Sequence, residues 1–261
     1  MPKFAANLGF LFTELPFMER FSAAKKAGFE AVEFMFPYDY NLDEVESQLK
    51  ENELKLTLFN LPAGNWTEGD RGTATSTVRK EEFRLGVANA VEVAKRFGTE
   101  RVNCLVGKSI ENQPDEVTWS NLIENLSYAA DEFAKNDLML VIEPINHFDM
   151  PGFFLNTTEQ VIKLLDEINR PNAYLQYDIY HAEREQEDHQ AILANSFDKI
   201  GHIQIADNPG RHQPGTGTID IKALLKEIDK LGYKYNVGME YVPDPNTLAS
   251  LTWVEEHGYK L

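Results

Sequence analysis

Hydrophobic and polar positions follow two alternating rhythms along this chain. Short apolar runs rich in Val, Ile, Leu and Phe are separated by longer segments whose apolar residues return every three or four positions. The first kind reads as buried strands and the second as amphipathic helices. Strands are predicted at Lys3–Leu8, Ala31–Phe36, Leu54–Asn60, Arg101–Val106, Leu138–Glu143, Ala173–Asp178, Ile200–Ala206 and Tyr235–Tyr241. Helices are predicted at Pro16–Ala27, Asn41–Asn52, Val78–Phe97, Pro114–Lys135, Thr158–Asn169, Glu185–Ser196, Asp220–Leu231 and about Asn246–Glu256. Gly28, Gly98 and Gly232 stand where helices stop, and Pro114 suits a first helical turn.

Eight strands, each followed by a helix, share 261 residues, about one strand every 33. That cadence predicts an α/β fold, a single (β/α)8 TIM barrel spanning residues 1–261, with no break in composition to mark a second domain. A doubly wound open sheet is the alternative. Against it, no G-x-G-x-x-G follows the first strand, and G-x-x-x-x-G-K-[ST] is absent throughout. The polar stretch Leu61–Thr77 (LPAGNWTEGDRGTATST) is long for a compact domain and reads as a lid, with Trp66 opposing simple disorder.

Chemistry enters at the strand ends. LMLVI runs straight into Glu143, AYLQYD ends in Asp178, IGHIQIA carries Gln204, and YNVGMEY delivers Glu240. An ionised carboxylate closing a buried strand is costly unless a positive group meets it. A structural ion pair would answer for one such residue, whereas four on successive strands predict a site. In a closed barrel the C-terminal strand ends share one rim, which is where active sites lie. Three carboxylates gathered there repel each other, and a divalent cation with oxygen ligands relieves the repulsion. Oxygen donors with no cysteine favour Mg²⁺ or Mn²⁺ over zinc, although His181 and His202 lie close by in sequence. His202 alternates with Gln204 along its strand and has a satisfied core histidine as its plainer reading.

Composition narrows the partners. The chain has 25 basic and 42 acidic residues, a formal charge of −17, which opposes a phosphate-binding surface and so predicts no nucleic-acid partner. The apolar fraction of 43% supports a sizeable core. The lone Cys104, in RVNCLVG, excludes an intramolecular disulfide and a cysteine zinc cluster and reads as a core residue. No apolar run approaches the roughly 20 residues of a membrane span. The N-terminal MPKFAANLGF lacks the features of a signal peptide, so the cytoplasm is the expected location. The expected partner is a small molecule, and a homo-oligomer is compatible with the sequence.

Several longer strings carry a resemblance. VEFMFPYDY (Val32–Tyr40), FNLPAGNW (Phe59–Trp66), NCLVGK (Asn103–Lys108), IEPINHFDMPGFFL (Ile142–Leu155), QYDIYH (Gln176–His181), GHIQIADNPGR (Gly201–Arg211) and QPGTGTI (Gln213–Ile219) resemble the hydroxypyruvate isomerase family of the xylose-isomerase-like barrels. The resemblance extends over essentially the whole chain. It implies that Glu143, Asp178, Gln204 and Glu240 hold the metal and that Glu143 and Glu240 exchange a proton. The implied reaction interconverts hydroxypyruvate and 2-hydroxy-3-oxopropanoate (tartronate semialdehyde). Thr218 stands where the family pattern has an acidic residue, and Gln213 replaces a Glu.

Such an isomerisation removes a C–H proton next to a carbonyl, and a Lewis-acidic metal stabilises the enediolate that results. One of Glu143 and Glu240 takes the proton and the other returns it to the neighbouring carbon. The substrate carboxylate calls for an anchor, for which His181, Arg211, Lys108 and His147 are the candidates. The nearest rival keeps fold and metal but acts on a larger keto-sugar or sugar acid such as 2-oxo-tetronate. A metal-dependent endonuclease, opposed by the charge, and a non-catalytic sugar-acid binder are the rivals of other classes.

Overall fold

A computed structural model describes residues Met1–Leu261. Nine parallel strand segments form one sheet: β1 Lys3–Asn7, β2 Ala31–Glu33, β3 Lys55–Leu56, β4 Phe59–Asn60, β5 Arg101–Cys104, β6 Met139–Ile142, β7 Ala173–Asp178, β8 Ile200–Ile205 and β9 Asn236–Met239. Their order is β3-β2-β1-β9-β8-β7-β6-β5-β4. The two ends of that list are halves of one stave, the predicted strand Leu54–Asn60, interrupted at Thr57–Leu58. β3 pairs with β2 on one side and β4 with β5 on the other, so the sheet closes on itself. Across the interruption Thr57 N donates to Val32 O at 2.9 Å and Asn60 N to Met35 O at 2.8 Å. The result is a single (β/α)8 barrel with eight staves, as the strand cadence predicts.

The helices are α1 Phe17–Lys26, α2 Leu42–Glu51, α3 Lys80–Phe97, α4 Asp115–Ala134, α5 Thr158–Ile168, α6 Ile179–Arg184, α7 His189–Ser196, α8 Ile221–Lys230, α9 Thr247–Ser250 and α10 Thr252–Glu256. Each longer one buries an apolar stripe on the barrel: Val161, Leu164, Leu165 and Ile168 of α5, or Ile221, Leu224, Leu225 and Ile228 of α8. Side-chain oxygens start several helices, with Thr157 and Gln160 forming a reciprocal capping box at α5. No helix is long and apolar enough to cross a membrane.

Two elements depart from the sequence expectation. The region read as one helix, Glu185–Ser196, is helical only from His189, after the short α6 that begins directly at the end of β7. Asp178 caps that helix by accepting from Tyr180 N at 2.9 Å, a strand-to-helix junction too short for periodicity to reveal. The C-terminal stretch is two short helices, α9 and α10, rather than one.

The barrel interior is polar at several levels. In β7 and β8, Gln176 pairs with His202 and Asp178 with Gln204 in register, and all four side chains turn away from the helices. Leu175, Ile203 and Ile205 alternate with them and face the apolar core. Cys104 is buried within that core, as expected of a small apolar residue.

Candidate active site

Glu143 follows β6 directly, Asp178 ends β7, Gln204 is the fifth residue of β8, and Glu240 follows β9. The parallel strand order therefore brings them to one rim. Glu143, Gln204, Glu240, His181 and Arg211 line a cavity of about 220 Å³, walled by Phe10, Phe34, Met35, Leu58, Trp66, Leu105, Ile145 and Met150. Asp178 lies just behind this lining, wholly buried. Ligand atoms of Glu143, Asp178 and His181 all lie within 4.8 Å of one another, close enough to share one metal ion. Four oxygen-bearing side chains, three of them buried carboxylates with too few cations to match, fit a hard divalent ion.

Burial sets the charges here. It raises the Glu143 carboxyl to about 8, with the neighbouring Asp178 adding to the rise, while Asn103 Nδ2 donates to Glu143 Oε2 at 3.1 Å and opposes it. Burial likewise lifts Asp178 and Glu240, in each case against the pull of Arg211. Arg211 Nη2 donates to Glu240 Oε2 at 2.7 Å and to Asp178 Oδ2 at 3.3 Å. Its guanidinium lies between the rings of Phe10 and Tyr180, 4.8 and 4.9 Å from their centroids.

His181 sits one helical turn beyond Asp178 because α6 starts there. Burial, then the charge of Arg211, holds its imidazole well below the ordinary histidine range, so the ring is neutral. Asn146 Oδ1 accepts from Phe148 N and Asp149 N, which commits its Nδ2 to His181 Nδ1 at 2.6 Å. The ring hydrogen is thereby assigned to Nε2, which lies 3.6 Å from Asp178 Oδ2 and 3.9 Å from Glu143 Oε1.

A deeper layer escaped the sequence reading. Glu33, the last residue of β2, is fully buried. It accepts from Gln204 Nε2 at 2.8 Å and from Asn7 Nδ2 at 3.1 Å, and its other oxygen lies 2.8 Å from His202 Nε2. Asn7 also donates to Glu240 Oε1 at 3.0 Å, and Gln204 Oε1 accepts from Gln176 Nε2 at 2.6 Å. Gly238 of β9 makes room for this carboxylate: a Cβ there would lie 2.3 Å from Glu33 Oε1. His202 is thus a buried, partnered histidine on the face it shares with Gln204. Glu33 carried the same signal as Glu143, an acid inside an apolar run (AVEF), and could have been found by it.

Two other anchor candidates lie elsewhere. His147 is exposed, with N and Nδ1 both bonded to Glu185 Oε1 at 2.7 Å and its ring against Phe148. Lys108 forms a backbone bridge with Phe153, and neither Lys108 nor His147 belongs to the cavity lining. The predicted lid segment contains a short 3-10 turn at Trp66–Glu68, whose Trp66 ring both lines the cavity and stacks under Arg71 at 3.9 Å. Its second half is anchored: Gly72 runs so close to the chain after β5 that a Cβ would meet Leu105 O at 1.9 Å.

Arg211 is carried by the loop after β8, and Asp207 organises that loop. Its buried carboxylate accepts from the N–H groups of Asn208, Gly215 and Gly217 at 2.9 Å and Ile219 at 3.1 Å. Gln213 uses both ends of its amide on Asp244, donating to its O at 2.7 Å and accepting from its N at 3.1 Å. Thr218 is exposed and bonds Asn208 O through its backbone N at 2.9 Å.

Residues 21–257 match the family model described as xylose isomerase-like TIM barrel. Hydroxypyruvate isomerase of Escherichia coli (strain K12) is 48% identical, the match covering 98% of this chain and 100% of that protein. A 2-oxo-tetronate isomerase of Cupriavidus necator is 37% identical over 98% of this chain and 99% of its own length. Among solved structures, one titled AP endonuclease, family 2, from Brucella melitensis superposes with a TM-score of 0.96 at 36% identity, covering all of both chains. A 3-keto-D-glucoside 4-epimerase from E. coli, 22% identical over 98% of this chain and 99% of its own, shares the fold with a TM-score of 0.79. By these matches the chain belongs to the xylose isomerase-like TIM barrel family and, within it, to the hydroxypyruvate isomerase family.

Proposed function

We propose that the chain, acting as one barrel domain over residues 1–261, is an isomerase of small oxo acids that interconverts hydroxypyruvate and 2-hydroxy-3-oxopropanoate. The observation that carries this reading is a pair of buried carboxyl groups, Glu143 and Glu240, carried by different strands and both lining one small cavity. Two carboxylates on one cavity can divide proton removal and proton return between them. One of the two removes the proton next to the substrate carbonyl and the other delivers it to the adjacent carbon.

Glu143, Asp178, Gln204 and Glu240 would hold a divalent cation, Mg²⁺ or Mn²⁺, through oxygen. Such an ion, when bound, supplies Lewis-acid polarisation of the substrate oxygens. His181, its Nδ1 occupied by Asn146, presents Nε2 to the site. Arg211 faces the substrate carboxylate, and the Phe10 and Tyr180 rings hold its guanidinium in place. The apolar wall from Trp66 to Met150 keeps bulk water from the enediolate.

The test is a chelator-stripped and Mn²⁺-restored assay in ²H₂O, following hydroxypyruvate by proton NMR. Appearance of the aldehyde together with solvent deuterium at the reacting carbon is expected only after restoration. A restored enzyme that turns over 2-oxo-tetronate at least tenfold faster per kcat/KM than hydroxypyruvate would move the assignment to the second isomerase among the relatives. Tight binding of abasic DNA without isomerisation would replace it by the nuclease reading, which the −17 charge opposes.

A further inference from the structure

We infer that Glu33 is a positioning residue for the proposed cation site, selecting which end of the Gln204 amide faces the cavity and, through Asn7, where the Glu240 carboxylate lies. This rests on the reading of Gln204 and Glu240 as cation ligands.

The argument is one of donors and acceptors. Two amide N–H groups, Gln204 Nε2 and Asn7 Nδ2, converge on Glu33 Oε1, and His202 Nε2 meets Oε2. A primary amide has one end that binds a cation and one that does not. With its Nε2 committed to Glu33 at 2.8 Å, Gln204 keeps its carbonyl oxygen for the other side. That oxygen accepts one bond, from Gln176, and retains a second lone pair. Asn7 is fixed by the same logic. Its Oδ1 takes Gly9 N at 2.9 Å, so Nδ2 is left to bridge Glu33 and Glu240.

The chain makes space for this arrangement. The carboxylate occupies the volume of a missing side chain at Gly238, in the strand that delivers Glu240. A buried partner for His202 alone needs no contact with Gln204 or Asn7. Groups that orient metal ligands without touching the ion contribute to affinity on the scale of 10–100-fold.

The experiment titrates Mn²⁺ into the chelator-stripped full-length protein by calorimetry, with free Mn²⁺ counted by electron paramagnetic resonance. Glu33→Gln leaves one acceptor oxygen where Gln204, Asn7 and His202 meet two, and removes the negative charge that holds the Gln204 and Asn7 amides; it is expected to weaken Mn²⁺ about 10–100-fold at an unchanged circular dichroism spectrum. Gln204→Glu in that background restores the polarity of the contact, since the amide at position 33 can then donate to it. The same change in the parent sets two carboxylates against each other, so a double-mutant cycle is expected to show strong coupling. Asn7→Ala leaves the carboxylate in place, removes only the bridge to Glu240, and serves if Glu33→Gln fails to fold; it is expected to weaken Mn²⁺ severalfold. Equal Mn²⁺ affinity in Glu33→Gln and parent, an additive cycle, or an unchanged Asn7→Ala overturns the inference while leaving the cation reading intact. A parent protein that binds no Mn²⁺ overturns both.

Discussion

Replacing Glu143 by Gln is expected to stabilise the chelated protein while removing its turnover. The substitution keeps shape and retains an oxygen to accept from Asn103 Nδ2. What it deletes is a carboxyl that burial holds at about 8 rather than 4.5. A group whose folded-state value is raised binds more protons in the folded protein, so its contribution to stability is present below 4.5 and is lost as pH rises towards 8. Each pH unit in that window costs about 1.36 kcal/mol. Glu143→Gln should therefore gain about 3 kcal/mol over the parent at pH 7 and less than about 1 kcal/mol at pH 5. At about 2–4 °C per kcal/mol for a chain of this size, Tm at pH 7 should rise by about 6–12 °C. Urea unfolding in the presence of chelator at pH 5, 6 and 7 measures the difference, and the isomerase assay should show kcat down about 10²–10⁴-fold. A stability gain that does not grow with pH, or a variant less stable than the parent at pH 7, would refute the claim that burial strains this carboxyl. Near-full turnover would remove Glu143 from proton transfer.

The same raised carboxyls must shed protons before a cation can bind, so Mn²⁺ affinity should increase from pH 6 to pH 8, with proton release visible as a buffer-dependent heat in calorimetry. A pH-independent affinity would contradict it. Gly238→Ala forces a methyl to within 2.3 Å of Glu33 Oε1 and should cost about 1–3 kcal/mol in urea unfolding, more if a hydrogen bond to the carboxylate breaks. Arg211→Gln should raise KM for hydroxypyruvate by at least tenfold, because the cavity loses the guanidinium it presents. Lys108→Ala and His147→Ala, at positions outside the lining, should leave KM within about twofold. An equal rise in KM at Lys108 would restore it as the anchor.

The barrel was legible because its strands are short apolar runs with regular helical spacing between them, a signal that depends only on neighbours in sequence. Glu143, Asp178 and Glu240 were legible because an acid ending such a run is expensive and therefore conspicuous. Two kinds of information were not available locally. Glu33 takes its meaning from Asn7, His202 and Gln204, which are 26, 169 and 171 residues away along the chain. Direction was equally hidden: Lys108 and His147 follow strand ends within a few residues, but a bridge to Phe153 and a contact with Glu185 lie outside the cavity lining. His181 is the reverse case, brought to the site by a helix of six residues.

The loop that presents Arg211 is gathered on Asp207, a carboxylate within its own span, and clipped to the segment after β9, where Val242 N donates to Arg211 O at 2.7 Å. Its outline then survives changes at its surface. Gln213 and Thr218, the two departures from the family pattern, both lie on that tolerant rim, where one clips to Asp244 and the other is exposed. The arginine it carries is aimed from outside the loop, by Glu240, Asp178 and the Phe10 and Tyr180 rings, so a changed rim leaves the guanidinium where it is.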